Sequence, residues 1–262
     1  MSPIKNENLL NVGMEAAIAA SRIIMDALDK PRVANLKGKT NLVTETDHLS
    51  EKTIKSIIRA SFPDHGFLAE ESGQDLSKSD YLWIIDPLDG TTNFVHGYPS
   101  FAVSIALYYK NEPQVAVIIE MPNTKLYSAI KGEGVWCEGQ PVSCSESDSL
   151  EKSLLVTGFG YEHGELWEEN MRLYKHFTDT TQGVRRLGAA AVDLCHVASG
   201  KVDGFWEFDL QPWDTAAGIL IAQEAGCLVT QMNGSDYSIY DNNILVTNPK
   251  IHIEMVKNIE DV

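Results

Sequence analysis

The stretch from Trp83 to Pro99, WIIDPLDGTTNFVHGYP, decides how the rest of the 262-residue chain is read. Tyr81 to Ile85 make a nearly continuous apolar run, as expected for a strand buried on both faces. Asp86 and Asp89 follow at its carboxyl end, where layered α/β folds bind their ligands. Two carboxylates three residues apart repel one another and are costly to take out of water. A shared divalent cation gives such a pair a purpose. Pro87 stiffens the intervening turn, Gly90 lets the backbone approach a ligand or take a positive φ, and amides at such a turn can face an oxyanion. An isolated Asp-Gly pair is usually an ordinary turn, so the weight rests on the full string.

A hydrophobic content of 44% is ample for a core, and the length suits one large or two small domains. No run of about 18 apolar residues is present. The N-terminal MSPIKNENLL lacks a basic region followed by an apolar stretch, so neither a membrane span nor a signal peptide is expected and a cytoplasmic location is the default. Cys137, Cys144, Cys195 and Cys227 show no CxxC pairing and no His at zinc spacing, so they read as reduced, packing cysteines. The formal net charge of -16 argues against direct nucleic-acid binding. It also means that an anionic substrate would need metal ions as intermediaries.

Leu10, Met14, Ala17, Ile24 and Leu28 recur at helical spacing and predict an amphipathic helix over about 7–29, ended by Pro31. Asn35 to Thr40, with Lys37 and Lys39, reads as a polar loop able to close over an anion. A second helix is expected over about 48–61, then a short strand at 67–69 ending in Glu70 and Glu71. Segments 101–109, 114–120, 125–130 and 135–137 read as an antiparallel meander. The polar SESDSLEK near Ser145 marks a boundary between two tightly integrated halves, 1–145 and 146–262. The second half alternates strands (153–157, 183–186, 204–208, 227–230, 243–247) with helices near 165–178, 189–199, 214–225 and 249–259. Trp83, Trp206 and Trp213 are expected in the core beside the acids. His96 reads as a packed or turn histidine.

In QPWDTAAG, Asp214 stands where a helix begins, and taken alone it is an N-cap. Read beside Asp47, Glu70, Asp86 and Asp89 it completes a set of oxygen ligands suited to magnesium. The string DPLDGTTNF from Asp86 to Phe94, PWDTAAGILIAQEAG from Pro212 to Gly226, VTETD ending at Asp47 and the Glu70-Glu71 pair together resemble the inositol monophosphatase family of Mg-dependent, lithium-sensitive phosphomonoesterases, over essentially the whole chain.

The resemblance implies a mixed α/β, α+β-type fold, a layered αβαβα sandwich of the sugar-phosphatase kind, and a homodimer. It implies one Mg held by Glu70, Asp86 and the carbonyl of Leu88, a second by Asp86, Asp89 and Asp214, and a weaker third near Glu70. Asp47, Thr91 and Glu70 would be catalytic, the first two orienting the attacking water. Asp89 and the Gly90, Thr91 and Thr92 segment would hold phosphate, with Glu207 accepting substrate hydroxyls and Gly188 and Ala190 lining the pocket. Two departures, Gln211 where relatives carry lysine and Ala189 where they carry serine or threonine, bear on substrate identity and remove no ligand.

The chemistry can be argued without the family. One carboxylate about 5 Å from a phosphate dianion repels it by roughly 6 to 7 kcal/mol at an effective dielectric of ~20. Several such terms forbid binding until divalent cations reverse the sign, acidify water and stabilise the leaving alkoxide. No Cys-x5-Arg loop is present for a phosphocysteine route, and the absence of the pattern GxxxxGK[ST] argues against a nucleoside-triphosphate hydrolase. The expected substrate is a small phosphomonoester, myo-inositol 1-phosphate first. Fructose 1,6-bisphosphate, NADP and 3'-phosphoadenosine compounds are the alternatives within the same chemistry. A non-catalytic role in a transcription or ribosome-assembly complex gains little support from a chain that keeps all five acids and Thr91.

Overall fold

The structure, a computed structural model, describes residues 5–30, 32–36, 42–75, 79–160 and 163–262. In chain order the first part comprises α1 (Asn6–Leu28), β1 (Ala34–Leu36), β2 (Leu42–Thr44), α2 (Glu45–Ser61), β3 (Gly66–Ala69), β4 (Gly73–Asp75), β5 (Tyr81–Asp89), α3 (Thr91–His96), β6 (Phe101–Tyr109), β7 (Glu112–Met121), β8 (Lys125–Ile130), β9 (Gly134–Cys137) and β10 (Gln140–Pro141). The second comprises β11 (Leu154–Thr157), α4 (Glu165–Thr180), β12 (Gly183–Arg185), α5 (Ala190–Ala198), β13 (Gly204–Phe208), α6 (Pro212–Glu224), β14 (Leu228–Thr230), β15 (Asn243–Thr247) and α7 (His252–Glu260).

Strand alternation builds the layers. Along β5 and β6, Trp83, Ile85, Val103, Ile105 and Leu107 point to one face, where they pack with Leu9, Ala17 and Ile24 of α1 and Ile54 and Ile58 of α2. Ile84, Ala102 and Ala106 point to the other face and meet α5 and α6. Those two helices are covered on their far side by Val156, Phe205, Ile244 and Val246 of the second sheet. Beyond that sheet lie Leu173 and Phe177 of α4 and Met255 of α7, packed on Trp206 and Leu245. The result is the αβαβα sandwich. The larger sheet runs β10-β9-β8-β7-β6-β5-β3-β4 and the smaller β12-β11-β13-β15-β14. β3 pairs with β5 in parallel, and β11 pairs in parallel with both β12 and β13.

Helix α6 is buried from Thr215 to Ala222 because sheets flank it on both sides, so it is apolar all round rather than striped. Its small residues allow that fit. A Cβ on Gly218 would lie 2.3 Å from Leu194 Cδ1 and 2.8 Å from Leu194 Cβ, so α5 and α6 touch nearly backbone to side chain.

Several boundaries differ from the sequence reading. β5 does not stop at Ile85 but continues to Asp89, with a break in its register against β6 between Asp86 and Asp89, so the two acids lie within an irregular strand end. Helix α2 begins at Glu45, three residues earlier than expected, because Thr44 and Asp47 form a capping box. Residues 91–96, where only the Gly-Thr-Thr segment was read, as a turn, make the short helix α3, and β1, β2, β4 and β10 were not anticipated. Asn35 and Leu36 belong to β1, while Lys37, Lys39 and Thr40, with Pro31, lie outside the described residues. Trp83 and Trp206 are fully buried, Trp213 only partly, and His96 is exposed. All four cysteines are free. Among the described residues no helix is long and apolar enough to cross a membrane.

Substituting Gly218→Ala forces a methyl into Leu194. Urea unfolding should show a loss of about 1–3 kcal/mol relative to wild type.

Candidate active site

The irregular end of β5 holds the first acids. Asp86 turns its carboxylate back on the chain, with Oδ1 accepting the Leu88 amide at 3.0 Å. The neighbouring Pro87 carbonyl is held by Ser50 Oγ of α2 at 2.8 Å, so the segment between the two aspartates is fixed from the helix layer. Gly90 then takes φ +82°, and a Cβ there would meet the Ser100 carbonyl oxygen at 2.9 Å and Ala189 Cβ at 3.1 Å. Glycine is required by both conformation and space.

Asp47 sits in the first turn of α2, wholly buried. Its Oδ2 accepts from the Thr44 amide at 2.9 Å and from Thr44 Oγ1 at 2.5 Å, and its Oδ1 receives Thr91 Oγ1 at 2.9 Å. Thr91 Oγ1 also lies 3.1 Å from the Leu88 carbonyl. A hydroxyl has one proton for two acceptors, so its lone pairs remain available. Asp47, Leu88 and Thr91, from α2, β5 and α3, are thus joined in one hydrogen-bonded unit.

Asp89 reaches across to the second half of the chain, where its Oδ2 accepts the Ala191 amide at 2.7 Å in the first turn of α5. Ala190 opens that helix, so the helix start lined by Gly188 and Ala190 is directed at Asp89 itself. Asn93 Nδ2 donates to the carbonyls of Leu187 and Ser100, each at 2.7 Å, and ties α3 to the approach of α5.

The sequence reading of Asp214 as an N-cap is corrected. It occupies the third position of α6, where its Oδ2 accepts the Gln211 amide at 2.7 Å, and Gln211 is the N-cap. Glu207, on β13, is buried with its carboxylate laid on Gly158. A Cβ on Gly158 would lie 2.2 Å from either oxygen, so only glycine leaves room for the acid. Gly158 is in turn held by Asn170 Nδ2 on its carbonyl at 2.6 Å, and Trp206 Nε1 donates to Asn170 Oδ1 at 2.6 Å. Glu70 follows β3, its amide bonded to the Ile85 carbonyl at 3.2 Å, which places it beside the end of β5.

These acids share one electrostatic field. Burial pushes the Asp86 carboxyl well above the usual range, and Glu70, Asp89 and Asp214 push it further. Asp89 is raised to about 7, by burial first; the α5 amides oppose the rise and Glu70 adds to it. Asp214 is raised by burial and then by Asp89 and Glu70, against the Gln211 amide. Glu207 is raised by burial and by Asp214, with Arg186 acting in the opposite sense. Among the described residues no three His, Cys, Asp or Glu side chains converge into a closed metal cage. The donor set is nevertheless all hard oxygen, and Asp86, Asp89 and Asp214 are each raised in part by another acid of the set, a repulsion that a hard divalent cation such as Mg or Ca relieves.

Sequence reasoning did not single out Asp193, whose two carboxyl oxygens are wholly buried without a hydrogen-bond partner among the described residues. Burial, then Glu207 and Asp89, raise its pKa, and Arg186 lowers it. The available signal was one acid inside the apolar helix AAVDLCHVA. Ser50, Asn93, Gly158 and Arg186 were also missed, because their roles depend on partners tens of residues away.

The structure is a layered α/β scaffold with desolvated carboxylates gathered at the end of its strand β5. The chain belongs to the inositol monophosphatase family, whose model matches residues 5–262, and it is accordingly a phosphomonoester hydrolase. It is 48% identical over 98% of its length, and 71% of the relative's, to the chloroplastic phosphatase IMPL1 of Arabidopsis thaliana. It is 38% identical to the Nus factor SuhB of Pseudomonas aeruginosa, over 96% of each chain. The solved structure of inositol monophosphatase from Anabaena superposes with a TM-score of 0.87 at 40% identity, covering 98% of this chain and 96% of that one.

The raised Asp89 pKa sets a pH dependence of stability. Its folded value near 7 exceeds an unfolded value of about 3.9, so between those limits the folded state binds the extra proton and stability falls as pH rises. In chelator, the unfolding free energy of wild type minus that of Asp89→Asn should decline by a few kcal/mol from about pH 4 to 7 and then level off.

Proposed function

We propose that the protein hydrolyses small phosphomonoesters, myo-inositol 1-phosphate first among them, with magnesium held by Glu70, Asp86, Asp89, Asp214 and the Leu88 carbonyl. One observation carries this reading: Asp86, Asp89 and Asp214 are desolvated together, with Asp86 raised further by Glu70, Asp89 and Asp214, Asp214 by Asp89 and Glu70, and Asp89 by Glu70, a cost that a hard cation removes. Bound magnesium would supply Lewis acidity toward phosphate and acidify water.

The chain's own residues do the positioning. The Thr91 proton is committed to Asp47 or to the Leu88 carbonyl, so its oxygen is left to accept a hydrogen bond from the attacking water. Asp47, pinned on its other oxygen by two Thr44 donors, fixes the direction of that lone pair and can receive the proton relayed through the hydroxyl. First-turn amides of α3, at Gly90, Thr91 and Thr92, lack intrahelical acceptors and offer donors to phosphate oxygens. Glu207, seated on Gly158, accepts hydroxyls of the leaving alcohol, with Gly188 and Ala190 as the adjoining wall. A homodimer and inhibition by lithium belong to the same reading, which the family membership supports.

Phosphate release from inositol 1-phosphate should rise with Mg to saturation, and Asp89→Asn should lower kcat/KM at least about a hundredfold. Mg-independent turnover, or full activity in Asp89→Asn, would count against the proposal. Thr91→Val should lose kcat while Mg affinity, read by calorimetry, changes little, since the hydroxyl orients water and is not assigned to the metal.

The relative named Nus factor SuhB favours testing a second reading, a non-catalytic role in a transcription complex. Asp86→Asn that abolishes phosphate release yet leaves every cellular phenotype intact would support it.

A further inference from the structure

The buried stripe of α2 is polar where a helix packed on a sheet is normally apolar. Asp47, Ser50, Glu51, Ile54, Lys55 and Ile58 face inward at helical spacing, and only Ile54 and Ile58 among them are apolar. Asp47 holds Thr91, and Ser50 holds the Pro87 carbonyl. Glu51 and Lys55 reach a different part of the site. Glu51 Oε2 accepts the Glu71 amide at 2.9 Å, and Lys55 Nζ donates to Ser72 Oγ at 2.7 Å. Lys55 Nζ also lies 3.7 Å from Glu51 Oε1 and 5.3 Å from the centre of the Phe67 ring, so the buried acid and base compensate one another.

What they hold is the turn that carries Glu70. Ala69 of β3 pairs with Gly73 of β4, so Glu70, Glu71 and Ser72 connect these two strands. β4 is a three-residue strand at the edge of the larger sheet and gives the turn little hold of its own. The Glu70 amide is bonded to the Ile85 carbonyl and the Glu71 amide to Glu51. The peptide planes on both sides of the Glu70 α carbon are therefore fixed, one by β5 and the other by α2. The Glu70 carboxylate in turn acts on Asp86, Asp89 and Asp214 alike. A ligand carried by a turn at a sheet edge keeps its place only as well as the turn is held, and losing a group that orients a ligand weakens metal binding roughly ten- to a hundredfold.

We propose that Glu51, paired with Lys55, is a positioning residue that aligns Glu70 for magnesium through the Glu71 amide. The proposal rests on the magnesium-dependent phosphatase reading given above.

Two conservative variants separate reach from charge. Glu51→Asp keeps the charge opposite Lys55 and withdraws the acceptor from the Glu71 amide by one methylene, whereas Glu51→Gln keeps an acceptor at the same reach and removes the charge. Mg binding is read by calorimetry without substrate, and unfolding in chelator is measured alongside. In Glu51→Asp the Mg dissociation constant should rise about ten- to a hundredfold, and in Glu51→Gln less than about threefold. With inositol 1-phosphate, Glu51→Asp should raise the half-saturating Mg by a similar factor while kcat at saturating Mg stays within about threefold of wild type. Should Glu51→Asp fail to unfold cooperatively, Glu51→Leu combined with Lys55→Met replaces the buried pair by apolar groups, which folds tolerate, and should show the same loss of Mg affinity. Wild-type Mg affinity in the variant that lacks the acceptor would overturn the proposal. So would a loss in Glu51→Gln as large as in Glu51→Asp, since the charge and not the hydrogen bond would then be responsible. Absence of Mg binding by the wild type would overturn the magnesium reading, and this proposal with it.

Discussion

Asp89 is pulled in two directions, and much of the architecture follows from the balance. Burial and the nearby Glu70 disfavour its charge, while the first-turn amides of α5 favour it, with Ala191 at 2.7 Å. That bond spans 102 residues and joins the end of β5 in the larger sheet to a helix of the middle layer. A helix N-terminus can hold a carboxylate without neutralising it, because its partial charge is about half a unit and spread over several amides. Asp89 is thereby fixed in place yet left with unmet demand for positive charge. The same holds for Asp214, held by the Gln211 amide while Asp89 and Glu70 press on it. Among the described residues, Asp89 and Asp214 are fixed by backbone amides, neutral donors that leave the carboxylate charge uncompensated.

Around that constraint the scaffold removes side-chain bulk. Gly90 brings the turn after β5 against Ser100 and Ala189, Gly158 makes room for the Glu207 carboxylate, and Gly218 lets α6 approach α5. Each glycine gives up local stability for a close approach, and each approach positions a group of the cleft. Trp83 is buried in the core under α1 and α2, and Trp206 in the core under α4 and α7, where it holds the Asn170 that fixes Gly158.

The cleft also has a graded electrostatic profile. Toward α2 it is ordered by neutral hydrogen bonds that converge on Asp47 and Thr91. At its centre Asp86 is raised by Glu70, Asp89 and Asp214, and Asp214 by Asp89 and Glu70. Toward β13 the field is moderated by Arg186, which acts on both Glu207 and Asp193.

Local signals carried far in this protein. The apolar run before Asp86, the helical spacing of α1 and the alternation through β6, β7 and β8 are imposed by chain geometry and by burial of one face or two, and they are visible residue by residue. The five acids could be read as one set because they stand at element ends, where backbone groups are open and ligands bind. What required the tertiary structure was every role defined by a distant partner. Asp214 changed from cap to third-position residue because Gln211 precedes it with an open amide. β5 ran on to Asp89 because β6 pairs with it beyond the irregularity. Asp193, Gly158 and Arg186 gained meaning only when α5, β11 and β13 were brought together, since desolvation and the field at a charge depend on what surrounds it in space. The sequence by itself determined most of the elements and the oxygen-donor chemistry, whose causes are local, while the layering was implied by the resemblance and the short elements α3, β4 and β10 appeared only in the structure. The tertiary structure decided which carboxylates share a field and which cation faces them, because Coulomb interaction and burial depend on distances that the order of residues does not contain.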